Sequence, residues 1–95
     1  MLTGSVTKAP KLQKSPAGIA HLYFVLEHQS EQIEANLPRR SYLRIQAVLS
    51  GPSANEWSKQ LNTGTVVTAR GFLNREEDSN GVAKLVLHVQ QLSLN

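Results

Sequence analysis

Apolar residues recur at every second position through most of the chain, and clusters of Gly, Pro, Ser and Asn separate the runs, a pattern of short strands rather than helices. Five strands are predicted. The first covers Leu2 to Lys8 and stops at Ala9-Pro10, because proline offers no ladder donor and restricts the residue before it. The second, IAHLYFVLEH, sets Ala20, Leu22, Phe24 and Leu26 on one face and Ile19, His21, Tyr23, Val25 and Glu27 on the other. In the third, RRSYLRIQAVLSG, Ser41, Leu43, Ile45 and Ala47 form the core row, and Arg40, Tyr42, Arg44 and Gln46 form the open one. The fourth, GTVVTARGFL, places Val67, Ala69, Gly71 and Leu73 opposite Val66, Thr68, Arg70 and Phe72, with Gly71 at a sharp bend. The fifth, VAKLVLHVQQL, points Ala83, Leu85, Leu87 and Val89 inward and Lys84, Val86 and His88 outward. Leu92 then falls out of phase, which predicts a bulge near Gln90-Gln91.

The connections complete the outline. KLQKSPAG is read as a basic loop, and SEQIEANLP, which lacks period two and ends in Pro38, as a long loop delivering the chain to the third strand. In PSANEWSKQLNTG, Ser53 and Glu56 fit a capping box, Trp57 and Leu61 form the apolar stripe of a short helix, and Asn62 to Gly64 ends it. Trp57 is expected to anchor this helix on the core rather than to stack on a base. Asn80-Gly81 predicts a tight hairpin of type I′. Three strands, a helix between strands three and four, then a two-strand hairpin is the order of an all-β OB-fold, a five-stranded Greek-key barrel. In that fold strands two and three, with the loops between strands one and two and between four and five, form the binding face.

Composition narrows the class. The 95 residues predict one domain, 1–95, with 40% hydrophobic and 18% charged residues and no apolar run long enough to cross a bilayer. MLTGSVTKAP lacks the basic start and apolar segment of a secretion signal, so the expected location is cytoplasmic. Cys is absent, which removes disulfide and thiol chemistry. The formal net charge is +3, and the six basic and three acidic residues of Met1 to Ser50 hold all of the excess. A mild cationic bias suits an anionic partner, and it equally suits solubility alone.

The candidate chemistry lies in the same half. Binders of single strands need cations that follow phosphates and rings on which bases stack; Tyr42 between Arg40 and Arg44 supplies both at strand spacing, and Lys8, Lys11 and Lys14 extend the track. Pattern alone leaves a second reading equally open, in which the arginines are a solvated face and Tyr42 fills a dimer contact. Enzyme chemistry has little support: GPSAN has Asn55 where a nucleophile elbow needs glycine, and there is no phosphate-binding loop. His21 and His28 fall on opposite faces of one strand and cannot share a metal. No cofactor is implied.

The pieces GSVTKAP, SPAGIAHLYFVLEHQS, LSG, ARGF and NGVAKLVLHVQQL together resemble the family of primosomal replication protein N, relatives of the bacterial single-stranded DNA-binding proteins. The run from Ser15 to Ser30 is the most specific part, and the resemblance covers nearly the whole chain. It implies a homodimer of OB-folds that binds single-stranded DNA in the replication-restart primosome and bridges the primosomal helicase and the helicase-loading protein. Carried over by position, it implies DNA contacts at Lys8, Arg39 and Lys84 and a strand-three aromatic at Tyr42, where better-known members carry tryptophan. Two further departures are Leu37 in place of an aromatic, and REEDSNG, with Glu76, Glu77 and Asp78, where those members carry lysines. The expectation is therefore a dimeric, non-enzymatic DNA-binding OB-fold. Its rival, favoured by the acidic loop, is a protein-interaction OB module in which DNA binding is weak or lost; an RNA-binding OB-fold ranks third.

Overall fold

The computed structural model describes residues 1–95. Its strands are β1 (Leu2–Val6), β2 (Lys11–Lys14), β3 (Ala20–Glu34), β4 (Leu37–Ser50), β5 (Val66–Glu77) and β6 (Ala83–Leu94), with helix α1 (Ser53–Gln60) between β4 and β5. Five strands follow the order β1-β5-β6-β4-β3, and a pairing of β1 with β3 at Ser5–Glu27 and Val6–Leu26 seals them into a barrel. β4 and β6 run parallel, and the remaining pairs are antiparallel. This is the OB-fold barrel expected from the sequence. Gly4 permits the seal, since a Cβ there would stand 2.6 Å from the Glu27 carbonyl oxygen.

The inward rows meet as the alternation requires. Ala20, Leu22, Phe24 and Leu26 of β3 pack against Ile45, Ala47 and Leu49 of β4, Val67 and Ala69 of β5, and Leu87 and Val89 of β6. α1 closes one end with Ala54 and Leu61 buried, while Trp57 packs on the core and stays half-buried. Trp57 is thus the expected anchor, placed at the rim. The capping box is not formed: Pro52 occupies the N-cap position and no side chain caps the helix. Proline suits a helix start, where its missing N–H would have had no helical partner.

Four expectations are corrected. KLQK is not a loop but the edge strand β2, paired with β3 from Lys11–Tyr23 to Lys14–Ala20. SEQIEANLP is not a loop either: β3 and β4 continue as one long hairpin whose turn is Ala35-Asn36, with φ of 50° and 62°. The two positive φ values of a type I′ turn therefore occur here and not at Asn80-Gly81, where Gly81 alone has positive φ. The β5–β6 connection is closed instead by Asp78, whose carbonyl accepts the Gly81 N–H and whose Oδ1 accepts the N–H groups of Asn80 and Val82. Finally, Leu43, Ala83 and Leu85 are exposed, because the strands run past the barrel rim before their inward rows find a core.

The bulge lies where the phase break predicted it. Pairing of β5 with β6 passes from Arg70–Gln91 to Gly71–Val89, so Gln90 has no partner. Gly71 is required at this step, because a Cβ there would overlap the His88 carbonyl oxygen.

Candidate nucleic-acid interface

The outer face of the sheet opposes the core, and its rows follow from strand register. One row crosses five strands: Lys11 of β2, Tyr23 of β3, Val48 of β4, His88 of β6 and Phe72 of β5 are successive lateral partners. The next row runs Val25, Gln46, Val86 and Asn74. Val48 and Val86, each 5% exposed, sit outside the main core cluster and form the apolar floor of this face. Rings line it as well: Phe72 and His88 stack with centroids 5.0 Å apart and planes 4° apart, and Tyr23 lies 6.3 Å from His21.

Two depressions mark the face and share Tyr23 and Gln46. The larger, about 410 Å³, has Val48, Val86 and His88 at its floor and Glu76, Glu77, Asp78 and Lys84 at its border. The smaller, about 190 Å³, is bordered by Lys8 and Lys11. Single-strand grooves combine such stackable floors with cationic borders. His88 Nε2 stands 3.5 Å from Glu76 Oε1, and His21 Nδ1 is 2.7 Å from Ser50 Oγ. His28 is used structurally: its Nδ1–H donates to the Thr3 carbonyl at 2.6 Å, and Nε2 accepts from Ser30.

The predicted residues divide among three places. Lys8 and Lys84 border the two depressions. Arg40, Tyr42 and Arg44 lie on the same outer face but farther along the hairpin arm, opposite Glu31, Gln29 and Glu27 in register. Tyr42 is 56% exposed and its hydroxyl donates to Glu27 Oε2 at 3.3 Å. Each guanidinium of this row thus faces a carboxylate position across the ladder. Arg39 falls on the opposite face of the arm, in one row with Ser41 and Leu43. Lys14 also alternates away from the groove, and Lys11 stands on its face instead.

Sequence reasoning named Lys11 only as one of three lysines extending the track and passed over Tyr23 and Phe72 as site residues. For Tyr23 and Phe72 the signal was present in part, since period two set them in the rows opposite Leu22 and Ala69; Lys11 could not be told from Lys14, because a residue in a loop has no face.

The chain is similar in sequence and in fold to known proteins. A family model described as another single-strand binding protein family matches residues 1–91. Replication restart protein PriB of Erwinia tasmaniensis is 40% identical over 93 residues, covering 98% of this chain and 89% of that protein. PriB of Proteus mirabilis is 43% identical, covering 99% and 90%. Among solved structures, priB of Ralstonia solanacearum superposes with a TM-score of 0.78 at 24% identity, covering 99% of this chain and 93% of that one. The wild-type single-stranded DNA binding protein of Thermus aquaticus superposes with a TM-score of 0.83 at 21% identity, covering 98% of this chain and 47% of that one. At these identities the structural likenesses are likenesses of fold.

Proposed function

The chain belongs to the single-strand binding family, among the relatives of replication restart protein PriB, and from that membership we propose that it binds single-stranded DNA as a cytoplasmic, non-enzymatic component of the replication-restart primosome. The observation that carries this reading is the row Lys11–Tyr23–Val48–His88–Phe72, which offers a strand of DNA cations at one end and stackable surface along the rest. Lys8 and Lys11 take phosphates, Tyr23 and the Phe72–His88 pair take bases, and Tyr42 with Arg40 and Arg44 continues the path along the arm. The working unit is a homodimer of single-domain protomers. An apolar groove beside the arm, lined by Leu2, Leu43, Leu73 and Leu85, supports that pairing, since exposed apolar surface of this extent marks contact sites.

A titration of labelled oligonucleotide at several salt concentrations tests the DNA reading. Each phosphate neutralised on a single strand contributes about −0.7 to the log–log slope, so Lys8→Ala/Lys11→Ala is expected to flatten the slope by roughly 1.4. Lys14→Ala leaves it unchanged. A parent that does not bind, or a slope that the double substitution does not alter, refutes the assignment.

The second reading, a protein-interaction module with little DNA binding, is favoured by the carboxylates on this face: Glu76, Glu77 and Asp78 at the groove, and Glu27 and Glu31 opposite the arginine row. Under it the groove receives the primosomal helicase or the helicase-loading protein, and the same titration gives no binding near physiological salt.

A further inference from the structure

β2 is the outermost strand of the sheet, paired with β3 and with no strand on its other side. In an antiparallel pair the main-chain groups turn toward the partner at alternate residues. Two bonds fix the phase here: the Ser15 N–H donates to the Ile19 carbonyl, whereas the Ala20 carbonyl turns away from β2 and accepts from the Gly51 N–H. In the register of β2 with β3, Lys11 and Gln13 therefore bond Tyr23 and His21, and the N–H and C=O groups of Leu12 and Lys14 point out from the edge. These outward groups have no hydrogen-bond partner. All four residues of the strand are exposed, although α1 lies beside it. Pro10 is in phase with Leu12 and Lys14 and offers no N–H, so the open edge ends there.

The side chains set what this edge can accept. Lys11 and Gln13 stand on one face and Leu12 and Lys14 on the other, and neither lysine has a carboxylate within ion-pair distance. Lysines on an edge oppose pairing with a second copy, whose β2 would bring its own lysines to the ladder, and favour a strand that carries carboxylates. Leu12, 41% exposed, adds an apolar contact. We infer that the free edge of β2 takes an extended acidic segment of a partner protein as an added strand, with carboxylates paired to Lys11 and Lys14 and an apolar side chain against Leu12. Lys11 is shared with the proposed DNA row and Lys14 is not, so the inference stands apart from DNA binding.

The probe is a fluorescein-labelled peptide in which a pair of valines is flanked by glutamates, a sequence that reads the same in both directions, and anisotropy at low salt follows its binding to the full chain. The parent is expected to bind it and to ignore a control with lysines in place of the glutamates. Lys14→Ala is expected to weaken the peptide roughly twofold to fivefold, the worth of one exposed cross-strand ion pair, while leaving the salt slope for DNA as it was. Leu12→Ala and Leu12→Pro separate the side chain from the ladder, because the first keeps the outward N–H and the second removes it while sparing the bonds to β3. The proline variant is expected to bind roughly threefold to tenfold more weakly than the alanine variant, the ratio that one net hydrogen bond provides. Amide exchange gives a second readout: the Leu12 and Lys14 protons, open in the free protein, are expected to slow when the peptide saturates it, and that of Gln13 to change little. A parent that does not bind the peptide overturns the inference. So does peptide binding that is equal in the proline and alanine variants, or that leaves the Leu12 and Lys14 protons unprotected. None of these outcomes bears on the DNA titration, so the failure of one reading is distinguishable from the failure of the other.

Discussion

Tyr42 and Tyr23 hold different positions for one chemistry. Tyr23 lies between the two depressions, while Tyr42 stands on the arm, 56% exposed and tied only through its hydroxyl to Glu27. Because so little of Tyr42 is packed, Tyr42→Ala is expected to leave the circular dichroism spectrum native. It should weaken binding to single-stranded DNA by about 1–3 kcal/mol, the range for loss of a base–aromatic stack, and Tyr42→Trp should tighten it. An unchanged titration for Tyr42→Ala would remove the arm from the DNA path. At this scale the sequence was legible through parity. Period two separated Arg40, Tyr42 and Arg44 from the core row and set Tyr23 in the row opposite Ala20, Leu22, Phe24 and Leu26, as found. Parity failed for Lys14 because the facing of a residue is set by the strand it pairs with, and β2 could not be recognised from four residues ending near Ser15-Pro16.

Among the elements, the β3–β4 hairpin departs most from the sequence reading. Beyond Leu26 and Ile45 it has left the barrel, so both of its faces meet solvent and the polar run SEQIEA has no core to impose alternation on it. What holds the arm is the ladder and the turn. Ala35 adopts a left-handed conformation, φ 50°, which costs an L-residue with a Cβ roughly 1–2 kcal/mol. Ala35→Gly removes that cost while adding the chain entropy of glycine, about 0.5–1 kcal/mol, so a net stabilisation of roughly 0.5–1 kcal/mol is expected in urea unfolding. The β5–β6 turn errs in the other direction: Asn80-Gly81 looks like a two-residue turn, yet Asp78 collects three N–H groups and builds a wider one. The period-two pattern carried the strands and the bulge at Gln90, because each is enforced by burial. Turn types are decided by hydrogen bonds among a few exposed residues, which composition alone underdetermines.

At the scale of the whole molecule, the barrel leaves an apolar groove uncovered, with Leu73 57% and Leu85 56% exposed at its side. If the proposed homodimer forms through this groove, the parent is expected to sediment as a dimer and Leu73→Asp/Leu85→Asp as a folded monomer. A double variant that still dimerises would move the contact to another edge. The order of elements along the chain was sufficient to identify the barrel, whereas nothing in it reported how the closing strand is held. β1 makes four register pairs with β5 but two with β3, supported by the ring of His28 on the Thr3 carbonyl. Local opening follows the least secured element. The amide protons of β1 are therefore the ones that solvent deuterium reaches first, ahead of those where β3 and β4 pair inside the barrel. Lys8 follows β1 directly, so a phosphate held by that ammonium restrains the same opening. An occupied groove would then slow isotope exchange at the back of the barrel, in a strand that touches no base.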